Sequence, residues 1–282
     1  MITEKNALTE PSEKKLSHLK EILSPLSAVC IAYSGGVDST FLLRVAKDVL
    51  NENTIAVTAT SPTYPQDELN EAIAMARMIG VRHLIISSNE LNIPGFSEND
   101  KDRCYHCKHE LFQRLKEEAG RYGIIYIADG SNCDDQKDYR PGRKAANEMN
   151  VLSPLIDAGL SKKDIRYLSE KLGLPTWNKP ALACLSSRIP YYEQITEDKL
   201  RQIEEAERFL KKLGFTQFRV RHHNTLARIE FITEEMTMLN DADLRLSIYA
   251  FFKKLGFTYV AIDLVGYRTG SMNEVFKKEV FC

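Results

Sequence analysis

The stretch Ser34-Gly35-Gly36-Val37-Asp38-Ser39-Thr40 constrains this chain more than any other. It follows directly on an apolar run, Ala28-Val29-Cys30-Ile31-Ala32-Tyr33, of the length of a buried strand. Two glycines free the backbone from the limits a Cβ imposes, and hydroxyl and acidic residues then open what reads as a helix. A strand, a Gly-Gly turn and a helix start together make an anion site. The backbone comes close to a phosphate, the first-turn N–H groups face it, and the helix dipole stands behind them. No Gly-Lys-Ser/Thr follows, so this is not a Walker loop.

At 282 residues the chain lies near the size where one core tends to split in two. Hydrophobic residues at 43 % suffice for a full core, and no apolar run approaches the roughly 18 residues that span a bilayer. The opening Met1-Ile2-Thr3-Glu4-Lys5 lacks the basic and apolar pattern of a secretory leader, so a cytoplasmic protein with no membrane partner is expected. A net charge of −1 provides no broad positive field and argues against a nucleic-acid partner. Six cysteines in such a chain read as thiols or ligands, not as a disulfide framework.

Strand-like runs recur at 28–33, 54–60, 83–87, 123–129 and around 151–152. Helical patterns lie between them, at 67–79 with Leu69, Ile73, Ala76 and Ile79 in register, and at 108–119. This alternation predicts an α/β fold, a parallel sheet with helices on both faces. Such sheets bind ligands beyond the carboxyl ends of their strands, where the 34–40, 58–61 and 129–135 segments fall. A boundary is expected near Pro190, giving a larger domain over 1–190 and a small α+β domain over 191–282. In the second, Phe209-Leu210-Lys211-Lys212-Leu213-Gly214-Phe215-Thr216 is echoed by Phe251-Phe252-Lys253-Lys254-Leu255-Gly256-Phe257-Thr258. Each copy ends a helical pattern on glycine and runs into a strand.

Cysteine placement is the next signal. Cys104 and Cys107 form a Cys-x-x-Cys pair in Arg103-Cys104-Tyr105-His106-Cys107-Lys108, expected as a loop opening the 108–119 helix. Cys184 lies in Ala183-Cys184-Leu185-Ser186-Ser187-Arg188-Ile189-Pro190. The pair alone is ambiguous between zinc, a redox dithiol and iron–sulfur ligation. Zinc would need two more ligands, for which His106 and Cys184 stand available. Three thiolates with no fourth suit a [4Fe–4S] cluster with one iron open to an exogenous ligand such as sulfide. Cys30 falls within the first strand and reads as core, while Cys133 and Cys282 have no partner spacing that assigns them a role.

Arg188, four residues after Cys184, places a positive charge near that thiol, where it can lower the thiol pKa or face a reacting carboxylate. In Phe218-Arg219-Val220-Arg221-His222, strand alternation sets Arg219 and Arg221 on one face. Paired guanidinium groups suit a phosphate, although a solvated strand face has the same pattern.

The loop at 34–40 resembles the pyrophosphate loop of the N-type ATP pyrophosphatases (PP-loop proteins of the adenine nucleotide alpha hydrolase-like fold), which adenylylate a substrate with release of pyrophosphate. Three further segments extend the likeness over almost the whole chain. They are Ala128-Asp129-Gly130-Ser131-Asn132-Cys133-Asp134-Asp135, the Cys184 segment, and Gly266-Tyr267-Arg268-Thr269-Gly270-Ser271-Met272-Asn273. Together they are similar to the LarE family. That resemblance implies an ATP-dependent sulfur transferase in nickel-pincer cofactor biosynthesis, serving lactate racemase maturation. The carboxylates of pyridinium-3,5-biscarboxylic acid mononucleotide would be adenylylated and converted to thiocarboxylates.

The resemblance further implies ATP contacts from Ser34, Gly35, Gly36, Asp38, Ser39, Thr58, Asp129 and Gly130, with magnesium at Asp38. Catalysis would involve Cys184, Asp38 and Arg188, and substrate contacts would come from Ser187, Arg188, Arg219 and Arg221. In one branch of the family a single cysteine at the Cys184 position gives up its sulfur and becomes dehydroalanine. In the other, three cysteines hold a [4Fe–4S] cluster that carries the transferable sulfur, and Cys104, Cys107 and Cys184 resemble that set. Relatives also imply a homo-oligomer, up to a hexamer, sulfide or another sulfur donor, and pathway partners in carboxylation and nickel insertion. A metal-site neighbourhood for Glu207 and Glu230 is implied as well, which their spacing does not establish. Related loops serve tRNA thiolation, which the net charge disfavours, and amide synthesis by NAD or GMP synthetase, which has no use for three placed cysteines.

Overall fold

The apolar runs and amphipathic stretches fold into two sheets with helices packed against them, in a computed structural model that describes residues 2–137, 141–180 and 183–276. The chain begins α1 (Ile2–Leu23), β1 (Val29–Ala32), α2 (Val37–Leu50), β2 (Thr54–Thr60), α3 (Gln66–Ile79), β3 (Arg82–Ser87), α4 (Arg103–Gly120) and β4 (Tyr126–Ala128). It continues α5 (Pro141–Glu148), α6 (Pro154–Asp157), α7 (Lys162–Lys171), α8 (Glu197–Lys212), β5 (Phe218–His223), β6 (Leu226–Phe231), α9 (Ala242–Lys254) and β7 (Tyr259–Ile262). Two compact units result, one of Met1–Glu90 with Asp102–Leu182, the other of Leu91–Lys101 with Ala183–Cys282. Among the described residues no helix is long and apolar enough to cross a membrane.

The first unit holds a parallel sheet in the order β3-β2-β1-β4, with Val29 opposite both Thr54 and Tyr126. Its two faces follow from the period of two. Val29 and Ile31 join Leu19 and Leu23 of α1, Phe41 and Leu42 of α2, Ala72 of α3 and Leu168 of α7 in one cluster. Cys30, Ile55, Val57 and Ile127 point the other way, toward Phe112 and Leu115 of α4 and Ala145 of α5. Each large side chain so buried contributes about 1.5–3 kcal/mol. Burial, with the Glu118 charge adding to it, pushes the Cys30 thiol up to about 12, so Cys30 is an inert part of the core.

Two details differ from the sequence reading. Around 151–152 there is one bridge, Ala128 to Leu152, in place of a strand, because Asn150 turns at φ 49° and Pro154 opens α6. And α4 starts at Arg103, so Cys104 and Cys107 stand at the start of the helix, in its first two turns, not in a preceding loop. The amides of Tyr105 and His106 already bond to the Asp102 carbonyl, and no glycine or proline interrupts the segment before Gly120.

The second unit is a three-stranded sheet, β5-β6-β7, with β5 antiparallel and β7 parallel to β6. The echoed segments each end a helix on a left-handed glycine, Gly214 at φ 97° and Gly256 at φ 102°, before β5 and β7. Phe209 of α8 stacks on Phe251 of α9 at 4.0 Å, and both helices cover the face of Phe218, Val220, Ile229 and Phe231. The opposite face carries Arg219, Arg221, Arg228 and Glu230.

In the first unit, α1 is tied to the start of α7 by one carboxylate. Asp164 closes a capping box with Ser161 and also accepts from Ser12 Oγ (2.7 Å) and Lys15 Nζ (2.7 Å). Burial alone would raise its pKa, but the bonds from Lys15, Ser161 and Ser12 outweigh that and bring it from 3.8 to about 2. A depressed carboxylate pKa stabilises the fold above the unfolded value and loses that contribution as pH falls through the folded value. Asp164→Asn is therefore expected to lower thermal stability at pH 7 by about 2 kcal/mol. The wild-type advantage should shrink between pH 3.8 and about 2, which melting curves of both proteins across that range will check.

Candidate active site

Between β1 and α2 the chain makes the turn that the two glycines allow. Gly35 stands at φ 65°, and a Cβ there would lie 2.7 Å from the Ala72 Cβ, so neither the conformation nor the space admits a side chain. Gly36 occupies the N-cap of α2 in extended conformation, and the first bond of the helix runs from Thr40 N to Gly36 O at 3.0 Å. The amides that precede it are left open to a ligand. The loop is braced by its own hydroxyls: Ser39 Oγ accepts from Ser34 N (3.3 Å), meets Ser34 Oγ (3.1 Å) and donates to Gly36 O (3.3 Å). Tyr64 Oη fixes the Ser34 carbonyl at 2.8 Å. Thr58 is 1 % exposed, donates to Tyr33 O at 2.7 Å and meets His83 Nε2 at 2.7 Å, so it steadies the strand end behind the loop.

The segment after β4 lies against this turn. A Cβ on Gly130 would stand 2.8 Å from Ser39 N and 3.0 Å from Ser39 Cα, both backbone atoms. Asp129, 3 % exposed, accepts from Ser131 N, Ser131 Oγ and Ser153 Oγ, and Lys108 Nζ stands 3.6 Å away. Asn132 Nδ2 reaches Asp38 Oδ1 at 3.4 Å. The other oxygen of Asp38 pairs with Lys162, whose backbone N–H donates to Asp134 Oδ2 at 2.8 Å. Lys162 is a site residue that the sequence reading missed. Its signal is a lysine at the first position of a helix, immediately after the cap Ser161, where the dipole disfavours a cation. Lys179 also borders the loop: its Nζ lies 3.4 Å from Gly35 O and pairs with Glu68 (2.6 Å) and Glu71 (2.8 Å). Burial lowers its pKa less than these two carboxylates raise it. A cavity of about 540 Å³ opens beside Gly35, walled by Met75, Met78, Pro175 and Thr176.

The thiols divide between the units. Cys104 is exposed on the first turn of α4, and Cys107 is half-buried with its Sγ 4.0 Å from Glu90 Oε1. His106 packs edge-on against Tyr105. Cys133 bonds through its amide to Leu160 O and through its thiol to Ile156 O, and burial raises its pKa. Cys282 lies outside the described residues. Among the described residues no group of three or more His, Cys, Asp or Glu side chains is gathered to hold a metal ion.

In the second unit, Cys184 precedes a short 3₁₀ turn, Leu185–Arg188, and its thiol is exposed. The turn wraps around Arg188, which is 4 % exposed. Arg188 Nη1 donates to Ala183 O (2.7 Å), Cys184 O (3.0 Å) and Ser187 Oγ (3.0 Å), while Nε and Nη2 form a two-pronged pair with Glu207 at 3.0 and 2.8 Å. Burial opposes the charge of both partners, but their mutual attraction prevails: Arg188 stands above its ordinary pKa and Glu207 below. Arg219 packs over the Tyr267 ring at 5.2 Å, and burial followed by the Arg188 charge lowers its pKa. Arg221, 5 % exposed, is engaged by Glu230 Oε2 (2.6 Å), Ser271 Oγ (2.8 Å) and the Ser187 carbonyl (3.1 Å). Glu207 and Glu230 are thus both answered by arginines.

Comparison with known proteins supplies a second line of observation. Residues 15–114 match the NAD synthase family. An uncharacterized protein of Synechocystis is 45 % identical over 94 % of this chain and 99 % of its own length. Pyridinium-3,5-bisthiocarboxylic acid mononucleotide synthase of Lactiplantibacillus plantarum is 37 % identical over 94 % of this chain and 95 % of its own. An uncharacterized protein of Methanocaldococcus jannaschii is 32 % identical over 91 % and 98 %.

The contact at Gly130 makes a test of the loop assembly. Gly130→Ala is expected to cost about 1–3 kcal/mol of stability and to weaken ATP binding roughly tenfold or more. Gly120→Ala, whose new methyl would meet nothing within 4 Å, serves as control and should leave both unchanged. Calorimetric titration with ATP, alongside melting curves, measures both quantities.

Proposed function

This chain belongs to the LarE family of PP-loop ATP-using enzymes, and on that premise we propose that it carries out sulfur transfer to pyridinium-3,5-biscarboxylic acid mononucleotide. The observation that carries the reading is the likeness to the Lactiplantibacillus synthase over 94 % of the chain. A carboxylate is a poor acyl donor. Attack of its oxygen on the α-phosphorus of ATP releases pyrophosphate and leaves an acyl-adenylate, from which AMP departs readily. The open amides of α2 and the ammonium group of Lys162 would neutralise charge on the departing pyrophosphate. Asp38 has the carboxylate for magnesium, and magnesium bound there would add charge neutralisation on the phosphates. Sulfur then attacks the acyl carbon, expels AMP and leaves a thiocarboxylate.

For the sulfur source, the family likeness favours a [4Fe–4S] cluster with Cys104, Cys107 and Cys184 as its ligands: all three are free thiols, and thiolates are the ligands that iron–sulfur clusters take. Bound there, such a cluster would offer one iron without a protein ligand as a place for sulfide. The exposed thiol of Cys184 also keeps a second reading open, in which its own sulfur attacks and is given up. Arg219, half-buried beside Tyr267, would contact the substrate phosphate, with Arg221 behind it. The exposed Tyr259, Ile262, Leu264 and Val265 at the β7 edge support assembly into a homo-oligomer.

With ATP, magnesium, sulfide and the dicarboxylate, the protein should form AMP and thiocarboxylate only when the dicarboxylate is present, as followed by mass spectrometry. Asp38→Ala should slow AMP formation on the order of a hundredfold. ATP hydrolysis independent of substrate, or full AMP formation in Asp38→Ala, would overturn the reading.

The two sulfur sources separate on iron content. Anaerobically reconstituted protein is expected to hold about four irons per chain, and Cys104→Ala should lose them while still binding ATP. Iron-free protein that transfers sulfur once, and loses mass at Cys184, would establish the second source instead.

A further inference from the structure

The turn that carries Cys184 is held by its carbonyl oxygens, largely from residues far away in sequence. Five of the carbonyl groups over 183–190 accept side-chain hydrogen bonds. Those of Ala183 and Cys184 accept from Arg188, that of Ser187 from Arg221, and those of Ile189 and Pro190 from Asn99 Nδ2 at 3.3 and 2.6 Å. Asn99 is 0 % exposed and stands at φ 58°, a left-handed conformation that asparagine tolerates better than most residues. Its own carbonyl accepts from Tyr192 N at 3.0 Å, and the Ser97 carbonyl accepts from Ile195 N at 2.9 Å. The 91–101 segment is therefore bonded along the chain that leaves the Cys184 turn.

A second hold on the turn, at Ser187, depends on the closing motif at 266–273. Ser271, 6 % exposed, donates to Glu230 Oε1 at 2.8 Å and accepts from Arg221 Nη2 at 2.8 Å. A hydroxyl both donates and accepts, so it bridges a carboxylate and a guanidinium with a minimum of volume. Glu230 is 0 % exposed, and its buried charge is answered by these partners together with Arg228 Nη2 at 3.3 Å. Through them Arg221 keeps its reach to the Ser187 carbonyl.

We propose that Asn99 and Ser271 are positioning residues for the sulfur step. They hold the Cys184 turn at two points on its C-terminal side, Ser187 and Ile189–Pro190, so that the chain leading back to the exposed thiol keeps one path. The proposal rests on the role given to Cys184 above. Neither side chain acts on sulfur directly; each acts through the backbone, Asn99 on Ile189 and Pro190, Ser271 through Arg221 on Ser187.

The test compares Asn99→Gly, Ser271→Ala and Ser271→Thr in the full-length protein. Three readouts are taken: amide hydrogen exchange over 183–190, kcat for thiocarboxylate formation, and KM for ATP. Asn99→Gly keeps the left-handed conformation and removes the donors. Ser271→Thr keeps the hydroxyl. Both Asn99→Gly and Ser271→Ala should speed exchange in the turn and lower kcat roughly tenfold with KM for ATP unchanged, and Ser271→Thr should restore both. If Asn99→Gly does not fold, the Ser271 pair decides: equal loss in the alanine and threonine variants overturns the proposal. Unchanged exchange in folded variants overturns the clamp itself. Faster exchange with unchanged kcat places the failure in the role assigned to Cys184.

Discussion

At residue 130 two backbones meet with no room for a side chain between them, and the site in the first unit is arranged around that approach. Because Gly130 can lie against Ser39, the segment after β4 reaches the first turn of α2. Asn132 then meets Asp38, and Asp134 holds the amide of Lys162, whose side chain closes on the other oxygen of Asp38. Any methyl at 130 pushes on Ser39 N, one of the amides that make the turn an anion site. The carboxyl ends of β1 and β4 are adjacent in the sheet, so topology brings the loops near and glycine lets them touch.

Much of this is written locally in the chain. The 34–40 turn, the alternation of strands and helices, and the paired Phe-Thr echoes before β5 and β7 are each set by a dozen residues or fewer, so pattern alone reveals them. What escapes the sequence is set at long range. Lys162 meets Asp38 across 124 positions, Asn99 meets Pro190 across 91, and Ser271 meets Arg221 across 50. No periodicity carries such pairings. The start of α4 escaped for a different reason: Cys, His and Tyr are middling helix formers, and the helix opens on an Asp102 carbonyl without a side-chain cap. The arginine pair on β5 shows the limit of alternation, which gives the face a side chain shares but not its partners. Arg219 lies on Tyr267, while Arg221 is bound to Glu230 and Ser271.

The charges buried on and around the small sheet would be costly without their pairings. Arg188 with Glu207 and Arg221 with Glu230 are nearly excluded from water, and removing one partner of such a pair typically costs about 3–5 kcal/mol. Replacing both partners with apolar residues of like size is often tolerated, so these pairs define geometry more than they add stability. What they define here is the path of the chain around Arg188 and the station of Arg221.

A loop folded around one of its own side chains has an entropic consequence. The residues flanking Cys184 need no bound molecule to choose among conformers, since the Arg188 guanidinium already answers the carbonyls of Ala183 and Cys184. Ordering one residue costs about 1–2 kcal/mol of conformational entropy. For this segment that cost is met once, when the chain folds, and is not levied again from the affinity of each molecule that arrives.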